Sequence, residues 1–520
     1  MASPPEPRPL TWRDWLGFLA MVFGMFMAIL DIQIVSASLS EVQAGLSASA
    51  DEVSWVQTSY LIAEIIMIPL SGWLSRLLST RVLFTISALG FTLCSLGCAF
   101  ASSLPEMVVF RAAQGFIGGA MIPTVFATSF LLFPGRLRAQ VSVFIGLIAT
   151  LAPTIGPTLG GYLTAILSWH WLFLINVPFG VVVGGLVWRF VTFDRPDRAV
   201  LRTFDLPGLI LMATFLGAFE YVLEEGNKND WFQDQGIFLL AVVAVVGSVL
   251  FLWRMLTRPD PMVDLRAFSN KNFAFGCVFS GIIGVGLYGT IYVIPLFLAQ
   301  VRHLDSLQIG ETMFVTGIGM LVASPIAGRI AGLIDLRLML AAGLAMTATA
   351  LWWLSHMTNQ SAFYELLGPQ LLRGFAIMFM MLPTNQLALG TLPPQNLKNA
   401  SGLYNLMRNV GGAVGLAVIN TVATNRAQLH TLHLDEAVTW SRPAAANAMT
   451  LMTYGNEAAN GRAAGLMALK QLAGMVRREA LTLAYNDVLL LMAFSCALAI
   501  PLVAFTTRPR MAGPAAKEAH

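Results

Sequence analysis

Residues 69–72 read Pro-Leu-Ser-Gly, and Arg81 stands at the start of the next apolar run. Residues 325–328 read Pro-Ile-Ala-Gly, and Arg337 follows Gly328 at the same distance as Arg81 follows Gly72. A fainter correspondence links two further sets of residues: Arg111, Gly115 and Pro123 with Arg373, Gly374 and Pro383. A pattern that recurs in both halves of a chain indicates two copies of one structural unit.

The repeat lies in an unusually apolar chain. Of its 520 residues, 56% are hydrophobic and only 11% are charged, which is more apolar surface than one soluble core can bury. Runs long enough to cross a bilayer begin near Trp15, Val53, Val82, Met107, Gln140, Trp171, Phe204, Gly236, Asn272, Leu307, Leu338, Phe363, Ala400 and Tyr485. We therefore predict an all-α polytopic membrane protein with 14 transmembrane helices.

The two copies match if the seventh and eighth spans are set aside as an insertion. The predicted organisation is an N-terminal tail (1–14), a six-helix bundle (15–192), a linker (193–203), two extra central helices (204–256), a second linker (257–271), a second six-helix bundle (272–505) and a C-terminal tail (506–520). Within the second bundle, residues 424–483 form one long loop that we expect to be partly helical.

The distribution of basic residues predicts the orientation. Twenty Lys and Arg residues fall on the side of the N-terminus, whereas the short loops of the other side contain only Lys228 and Arg302. Basic residues favour the cytoplasm, so both termini are expected there and loop 424–483 outside.

The net charge is only +3, and the basic residues are not gathered into a stripe, which argues against a nucleic-acid partner. The four cysteines lie in apolar runs, and neither a disulfide nor a metal site is expected.

Charged side chains inside apolar spans are expensive to bury and are therefore candidates for function. A carboxyl group in a partly dry cavity has its pKa raised by desolvation and lowered by a neighbouring guanidinium, and can exchange protons near neutral pH. We predict that Asp31, Glu64 and Arg111 form a proton relay. The alternative is a permanent ion pair that only ties helices together.

The fifth span is unusually rich in glycine and proline. Small residues allow close helix contact and prolines bend the helix, which suits a seam between two rocking halves. The predicted conformational switch comprises residues of this span and two residues of the repeated motif. They are Gly146, Pro153, Gly156, Pro157, Gly160 and Gly161 of the fifth span, together with Gly72 and Arg81. Polar and aromatic residues of other spans are predicted to line a substrate cavity: Gln33, Gln57, Tyr60, Gln114, Tyr288, Tyr292, Arg373, Asn385, Tyr404, Asn405 and Arg408.

Several motifs together resemble one family. They are Leu30-Asp31, residues 55–60 (Trp-Val-Gln-Thr-Ser-Tyr), Arg111 to Gly115, residues 156–161 (Gly-Pro-Thr-Leu-Gly-Gly), residues 169–180 and residues 408–412. The chain is similar over nearly its whole length to the major facilitator superfamily, and within it to the fourteen-span drug:proton antiporters that include EmrB-type multidrug efflux permeases. One departure is that Ser75 stands where the family usually has an acidic residue.

The resemblance implies a major facilitator fold of two six-helix bundles plus two extra central helices. It also implies that Asp31 and Arg111 belong to the proton pathway and that Gly156 and Pro157 shape the conformational switch. EmrB-type relatives reside in the bacterial inner membrane and work with a periplasmic adaptor and a TolC-type outer-membrane channel. By resemblance we expect both partners here; loop 424–483 either docks the adaptor or covers the substrate exit.

We therefore expect a proton-coupled exporter of amphipathic, hydrophobic compounds that works by alternating access and is not an enzyme. The chain has no Gly-rich lysine motif for nucleotides, and no cofactor is expected besides the proton gradient. Two alternatives remain open: a proton symporter that imports a small metabolite on the same fold, and a non-transporting membrane scaffold or sensor.

Overall fold

The computed structural model describes residues 10–133, 135–439, 441–460 and 463–507. Within these residues, fourteen helices are long and apolar enough to cross a membrane, which confirms the predicted number. They are α1 (Trp12–Ser36), α2 (Trp55–Leu78), α3 (Thr80–Ala99), α4 (Leu104–Leu132), α5 (Gln140–Ile166), α6 (Trp171–Phe190), α7 (Leu206–Glu225), α8 (Gln235–Thr257), α9 (Lys271–Gln300), α10 (Gln308–Ile330), α11 (Leu336–Leu354), α12 (Phe363–Leu389), α13 (Pro394–Ala437) and α14 (Ala464–Phe505).

Polar residues at the ends of the apolar runs fix where many helices begin. Thr11 accepts a hydrogen bond from the Asp14 backbone, and the Asp14 side chain accepts one from the Thr11 backbone. Asp205 and Asp234 cap α7 and α8 in the same way, each accepting a hydrogen bond from a backbone N–H of the first turn. These side chains satisfy backbone donors that have no partner inside the helix.

The fourteen helices pack as two groups with a pair between them. In the first group α1 packs on α5 and α6, and α2 packs on α4. In the second, α9 packs on α13, and α12 packs on α10 and α11. The groups meet along two seams, α5 with α10 and α2 with α13, while α7 packs on α8 and also contacts α2 and α13. This is the major facilitator arrangement of two pseudo-symmetric halves.

The repeated Pro-Gly motifs lie at these two seams. A Cβ on Gly72 would stand 2.8 Å from the Cα of Asn399 in α13, and a Cβ on Gly328 would stand 3.8 Å from Val143 in α5. Both motifs therefore place small residues where one half crosses the other. At Gly72 the close approach allows backbone contact that a larger side chain would prevent, whereas at Gly328 the neighbour is a side chain at ordinary contact distance.

The fainter repeat also has a structural counterpart. A Cβ on Gly115 of α4 would overlap the backbone carbonyl of Tyr60 in α2, and a Cβ on Gly374 of α12 would overlap that of Thr316 in α10. Each half thus joins two equivalent helices through a glycine. An arginine precedes the glycine on each of these helices, Arg111 four residues before Gly115 and Arg373 directly before Gly374.

Residues 424–483 are more helical than predicted. Helix α13 continues to Ala437, a further helix spans Pro443–Asn460, and α14 already begins at Ala464 rather than near Tyr485. Hydropathy locates the lipid-crossing part of a helix but not its ends, because charged residues lower hydropathy without breaking a helix. The Pro443–Asn460 helix packs on α14, so the two long helices form a hairpin closed by a third helix.

Gly115→Ala should destabilise the protein. The added methyl group meets a backbone carbonyl, which cannot rotate away, and overpacking of this kind costs about 1–3 kcal/mol. A thermal melt of the purified protein should show a lower midpoint. Gly185→Ala is the control, since a Cβ there meets nothing within 4 Å and alanine favours a helix over glycine. Equal midpoints for the two variants would contradict the packing described here.

Candidate functional site

A buried ion pair lies at the centre of the first half. Arg111 Nη1 of α4 donates a hydrogen bond of 2.6 Å to Asp31 Oδ2 of α1, and both side chains are completely buried. Arg111 Nε also donates to the Val56 carbonyl of α2 at 3.0 Å. The pair predicted from the sequence is thus brought together, and it joins three helices.

Neutral polar side chains complete the surroundings of this pair. Asn176 of α6 donates to Asp31 Oδ1 at 2.7 Å, and Gln114 donates to the same oxygen at 3.3 Å while accepting from Arg111 at 2.8 Å. Both amides also donate to Ser95 Oγ of α3. Gln114, which we assigned to the substrate cavity, therefore contacts the ion pair. A carboxylate with this many donors is held in one orientation.

Glu64 lies close to this network but outside it. Its side chain is only 3% exposed, and it joins no hydrogen bond or salt bridge in the part of the chain that the structure describes. The charges of Arg111 in the first half and Arg408 in the second both act on it. Between Glu64 and the ion pair lies Tyr60, whose ring is 4.3 Å from the Arg111 guanidinium.

In the second half, the buried arginines Arg373 and Arg408 have no carboxylate partner among the described residues. Arg408 of α13 is bonded to Asn405 Oδ1, and its guanidinium lies 5.1 Å from the ring of Phe126 in α4. Tyr404 packs on the same Phe126 ring at 6.3 Å. Within the described residues, Arg408 Nη1 has no hydrogen-bond partner. Arg408 therefore faces the first half with unused donor capacity.

Other members of the predicted cavity are distributed over both halves. Arg373 donates to Thr316 Oγ1 at 2.7 Å inside the second half, and Asn385 is fully buried with neither amide atom bonded among the described residues. Gln57 and Tyr60 likewise have a buried polar atom without a partner there. Unbonded buried polar groups are uncommon in proteins, and they are the groups that a polar ligand or water would satisfy.

The glycines of α5 face α1. A Cβ on Gly156 would overlap that of Gln33, and a Cβ on Gly160 would come within 2.8 Å of the Ile34 carbonyl. Gly146 instead faces Met381 of α12 across the seam at 3.6 Å. Pro153 is buried, whereas Pro157 and Gly161 are half-buried. The predicted switch residues of α5 thus contact helices of both halves.

A second polar cluster joins the halves on the side where the described chain begins and ends, here called the terminal side. Lys398 at the start of α13 donates to Asp194 Oδ2 at 2.6 Å and to the Ser75 carbonyl at 3.0 Å. Thr80 donates to the same Asp194 oxygen through its backbone N–H and its hydroxyl. Asp194, which follows α6, thus supplies a carboxylate next to Ser75. Arg81 stacks on Trp188 of its own half, 4.2 Å from the ring.

On the opposite side, a cavity of about 780 Å³ opens between α9, α13 and α14. Tyr292, Gln300, Asn420 and Tyr485 are among its lining residues. Tyr292 is 38% exposed, whereas Tyr288, one turn earlier on α9, is half-buried and lies 3.5 Å from Asn409. A cavity of this volume holds a drug-sized molecule.

Three acidic residues at the end of α7 were not predicted as site residues. Glu220 and Glu225 are buried and Glu224 is half-buried, and the charge of Glu64 acts on Glu220. The signal was present, because Glu220 lies well inside the apolar run that begins at Phe204. Glu220 was not among the buried charges that we considered, and the seventh and eighth spans were set aside as an insertion when the two halves were matched.

The geometry agrees with comparisons to known proteins. A model of the Major Facilitator Superfamily matches residues 21–416. The chain belongs to the major facilitator superfamily. It is 43% identical to "Colistin resistance protein EmrB" of Acinetobacter baumannii over 479 residues, covering 92% of this chain and 93% of that protein. It is 31% identical to "Multidrug export protein EmrB" of Escherichia coli over 505 residues, covering 96% and 97% of the two chains.

Solved structures of the superfamily show the same fold. The human organic anion transporter MFSD10 superposes with a TM-score of 0.57 at 14% identity, covering 95% of this chain and all of the other. The proton:xylose symporter XylE gives a TM-score of 0.56 at 14% identity, covering 92% and 94%. The family match and the relatives at 43% and 31% identity confirm the resemblance to EmrB-type permeases drawn from the sequence motifs, and this major facilitator protein is a membrane transporter.

Breaking the Lys398–Asp194 pair should separate the halves on the terminal side. A hydrogen bond between charged groups contributes about 1.5 kcal/mol, which corresponds to about a tenfold change in population. Spin labels at the exposed residues Arg195 and Gln395 should report a larger long-distance fraction in Lys398→Gln and in Asp194→Asn. Asp487→Asn is the control, since its partners Arg426 and His430 belong to the second half alone. An unchanged distance distribution in both variants would contradict a closing role.

Proposed function

We propose that this transporter exports chemically varied amphipathic, hydrophobic compounds across the bacterial inner membrane in exchange for protons, with both termini in the cytoplasm. The names of its relatives, a colistin resistance protein and multidrug export proteins, support efflux of more than one compound. The proton gradient supplies the energy, and the proposal requires no cofactor. The terminal side is then the cytoplasmic side.

The position of Glu64 is the observation that carries the proposal. Its buried carboxyl lies within electrostatic reach of an arginine from each half, Arg111 and Arg408. When Glu64 is ionised it attracts both guanidinium groups, and when it is protonated this attraction between the halves is lost. Proton binding at one side chain thus changes the free-energy difference between arrangements of the two halves, as alternating access requires.

Asp31 supports this coupling from within the first half. Because it holds Arg111 through a 2.6 Å ion pair, the guanidinium is kept beside Tyr60 and near Glu64. In the proposed cycle, the Asp31–Arg111 pair positions the charge that Glu64 senses, and Glu64 exchanges the proton. Removing Asp31 would leave Arg111 buried without a counter-ion, at a cost of about 3–5 kcal/mol. Glu64 is therefore the better residue for testing the coupling.

Glu64→Gln should abolish transport driven by a pH gradient. In proteoliposomes loaded with a neutral fluorescent hydrophobic substrate, we expect flux in response to an imposed pH difference to fall to background. Exchange of labelled for unlabelled substrate without a gradient should persist, because the glutamine keeps the shape of the site. Glu106→Gln, at an exposed residue of the first turn of α4, should leave both assays unchanged. Full gradient-driven flux in Glu64→Gln would remove this residue from the coupling mechanism.

We further propose that the transporter is the permease of a tripartite pump with a periplasmic adaptor and a TolC-type outer-membrane channel. The hairpin of α13, the Pro443–Asn460 helix and α14 supports this proposal because it projects from the side opposite the termini. Its surface carries exposed apolar residues, among them Leu432, Leu451 and Leu466. Exposed apolar groups of this kind are typical of protein-binding surfaces.

Leu451→Asp combined with Leu466→Asp should weaken adaptor binding at least tenfold, because each carboxylate would have to be desolvated at the interface. Co-purification with the adaptor and its titration onto the transporter in nanodiscs measure the effect. Leu333→Asp, at a residue 82% exposed on the terminal side, is the matched control. Wild-type binding by the double variant would place the docking surface elsewhere.

A further inference from the structure

Helix α7 occupies the gap between the two halves. On one side, its Gly217 lies against Ile62 of α2, and its Tyr221 ring stacks 5.4 Å from that of Trp55. On the other side, Trp231, in the loop that follows α7, donates a hydrogen bond of 3.1 Å to Thr421 of α13. Side chains on the face of α7 that carries Gly217 are therefore held at the boundary between α2 and α13.

Glu220 lies on this face, one turn after Gly217. Its side chain is only 5% exposed, and its Oε2 atom has no hydrogen-bond partner in the part of the chain that the structure describes. The charges that act on it are those of two other carboxyl groups, Glu64 and Glu224. Glu225 differs, because it forms a 3.1 Å ion pair with Lys228 and accepts a 3.5 Å hydrogen bond from the Thr58 hydroxyl. Glu220 is thus a buried acid without a counter-ion.

Each of the acids Glu64, Glu220 and Glu224 has a tyrosine within electrostatic reach. Tyr60 is fully buried, lies beside Glu64 and has no partner for its hydroxyl within the described residues. The charges of Glu64, Glu220 and Arg408 all act on Tyr288 of α9, and that of Glu224 acts on Tyr292. Tyrosine rings attract cations through the negative charge of their faces. The unbonded hydroxyl of Tyr60 is an independent sign that a ligand atom belongs in this space.

The charge balance around Glu220 selects the ligand. Isolated carboxylates are not buried in apolar surroundings without a cation, so the empty site keeps a proton on Glu220. An anionic ligand would be repelled by Glu64 and Glu224 as well. A ligand with a positively charged group would displace the proton and provide the missing counter-ion. The positive charges of Arg408 and Arg111 act on Glu64, whereas neither charge acts on Glu220 to a comparable extent.

We propose that Glu220, together with Glu64, Tyr60 and Tyr288, forms a binding subsite for the positively charged group of a cationic amphipathic substrate. This inference rests on the proposed efflux function and names one of its substrate classes. On binding, the O–H bond of the Glu220 carboxyl breaks, the proton passes to water, and the carboxylate pairs with the cation. The inserted helix α7 thereby supplies a residue that a twelve-span transporter of this fold does not have.

Equilibrium binding of tetraphenylphosphonium to the purified full-length transporter tests the subsite without requiring transport. We expect Glu220→Gln to weaken binding at least tenfold, and to leave binding of the neutral triphenylphosphine oxide within twofold of wild type. Wild type should release protons when tetraphenylphosphonium binds in weakly buffered solution, and Glu220→Gln should release fewer. Glu220→Asp should restore part of the affinity, whereas Glu225→Gln should bind as wild type because Glu225 is already paired.

Three results would overturn the subsite: wild type that does not bind tetraphenylphosphonium, Glu220→Gln that binds it as tightly as wild type, or equal losses for the cation and the neutral compound. Thermal midpoints of all variants show whether a loss reflects misfolding, and Glu220→Asp provides a second measurement if Glu220→Gln is unstable. The outcome is independent of the coupling proposal. A transporter that fails to respond to a pH gradient but loses cation binding through Glu220→Gln would refute proton-coupled export and keep the subsite.

Discussion

Burying a positive charge among apolar helices is the constraint on which the first half of this molecule depends. Arg111 is completely buried, and its charge is balanced by Asp31 on another helix. The oxygens of Asp31 are in turn satisfied from α4 and α6, and Ser95 of α3 links the donors. Four helices therefore cannot shift independently without leaving a charged or polar group unpaired, which is expensive at low dielectric.

The second half meets the same problem differently. Arg373 stands where the repeat places an equivalent of Arg111, but its partner is the hydroxyl of Thr316 rather than a carboxylate. Arg408 is bonded to the amide of Asn405 and packs on Phe126 of the first half. The first half is thus internally neutralised, whereas the second carries positive charge toward the interface. Acidic groups at that interface, Glu64 among them, acquire their importance from this asymmetry.

Much of this arrangement could be predicted from the sequence. Apolar runs define fourteen helices because length and hydropathy are local properties, and the rarity of buried charges singled out Asp31, Glu64 and Arg111. The partners of Lys398 could not be found in this way, since Asp194 and Ser75 are distant from it in the chain. Asp194 is unremarkable in its local sequence, and Ser75 was noted only because it stands where the family usually has an acidic residue. Arg81 was identified from its repeated spacing, but that spacing gave no indication that its side chain packs on Trp188. Glu220 lies in a helix outside the repeat, so the comparison of the two halves gave no indication of it.

Helix α13 is continuous from Leu397 to Ala437, and a helix of that length measures about 60 Å. Its first turn carries Lys398, Arg408 follows about three turns later, and its far end belongs to the projecting hairpin. A tilt of about 5° around the Lys398 end would move Ala437 by about 5 Å. In the proposed transport cycle, this continuous helix would connect the charge state of the membrane interior to the projecting hairpin, so that any protein bound to the hairpin would be displaced once in every turnover.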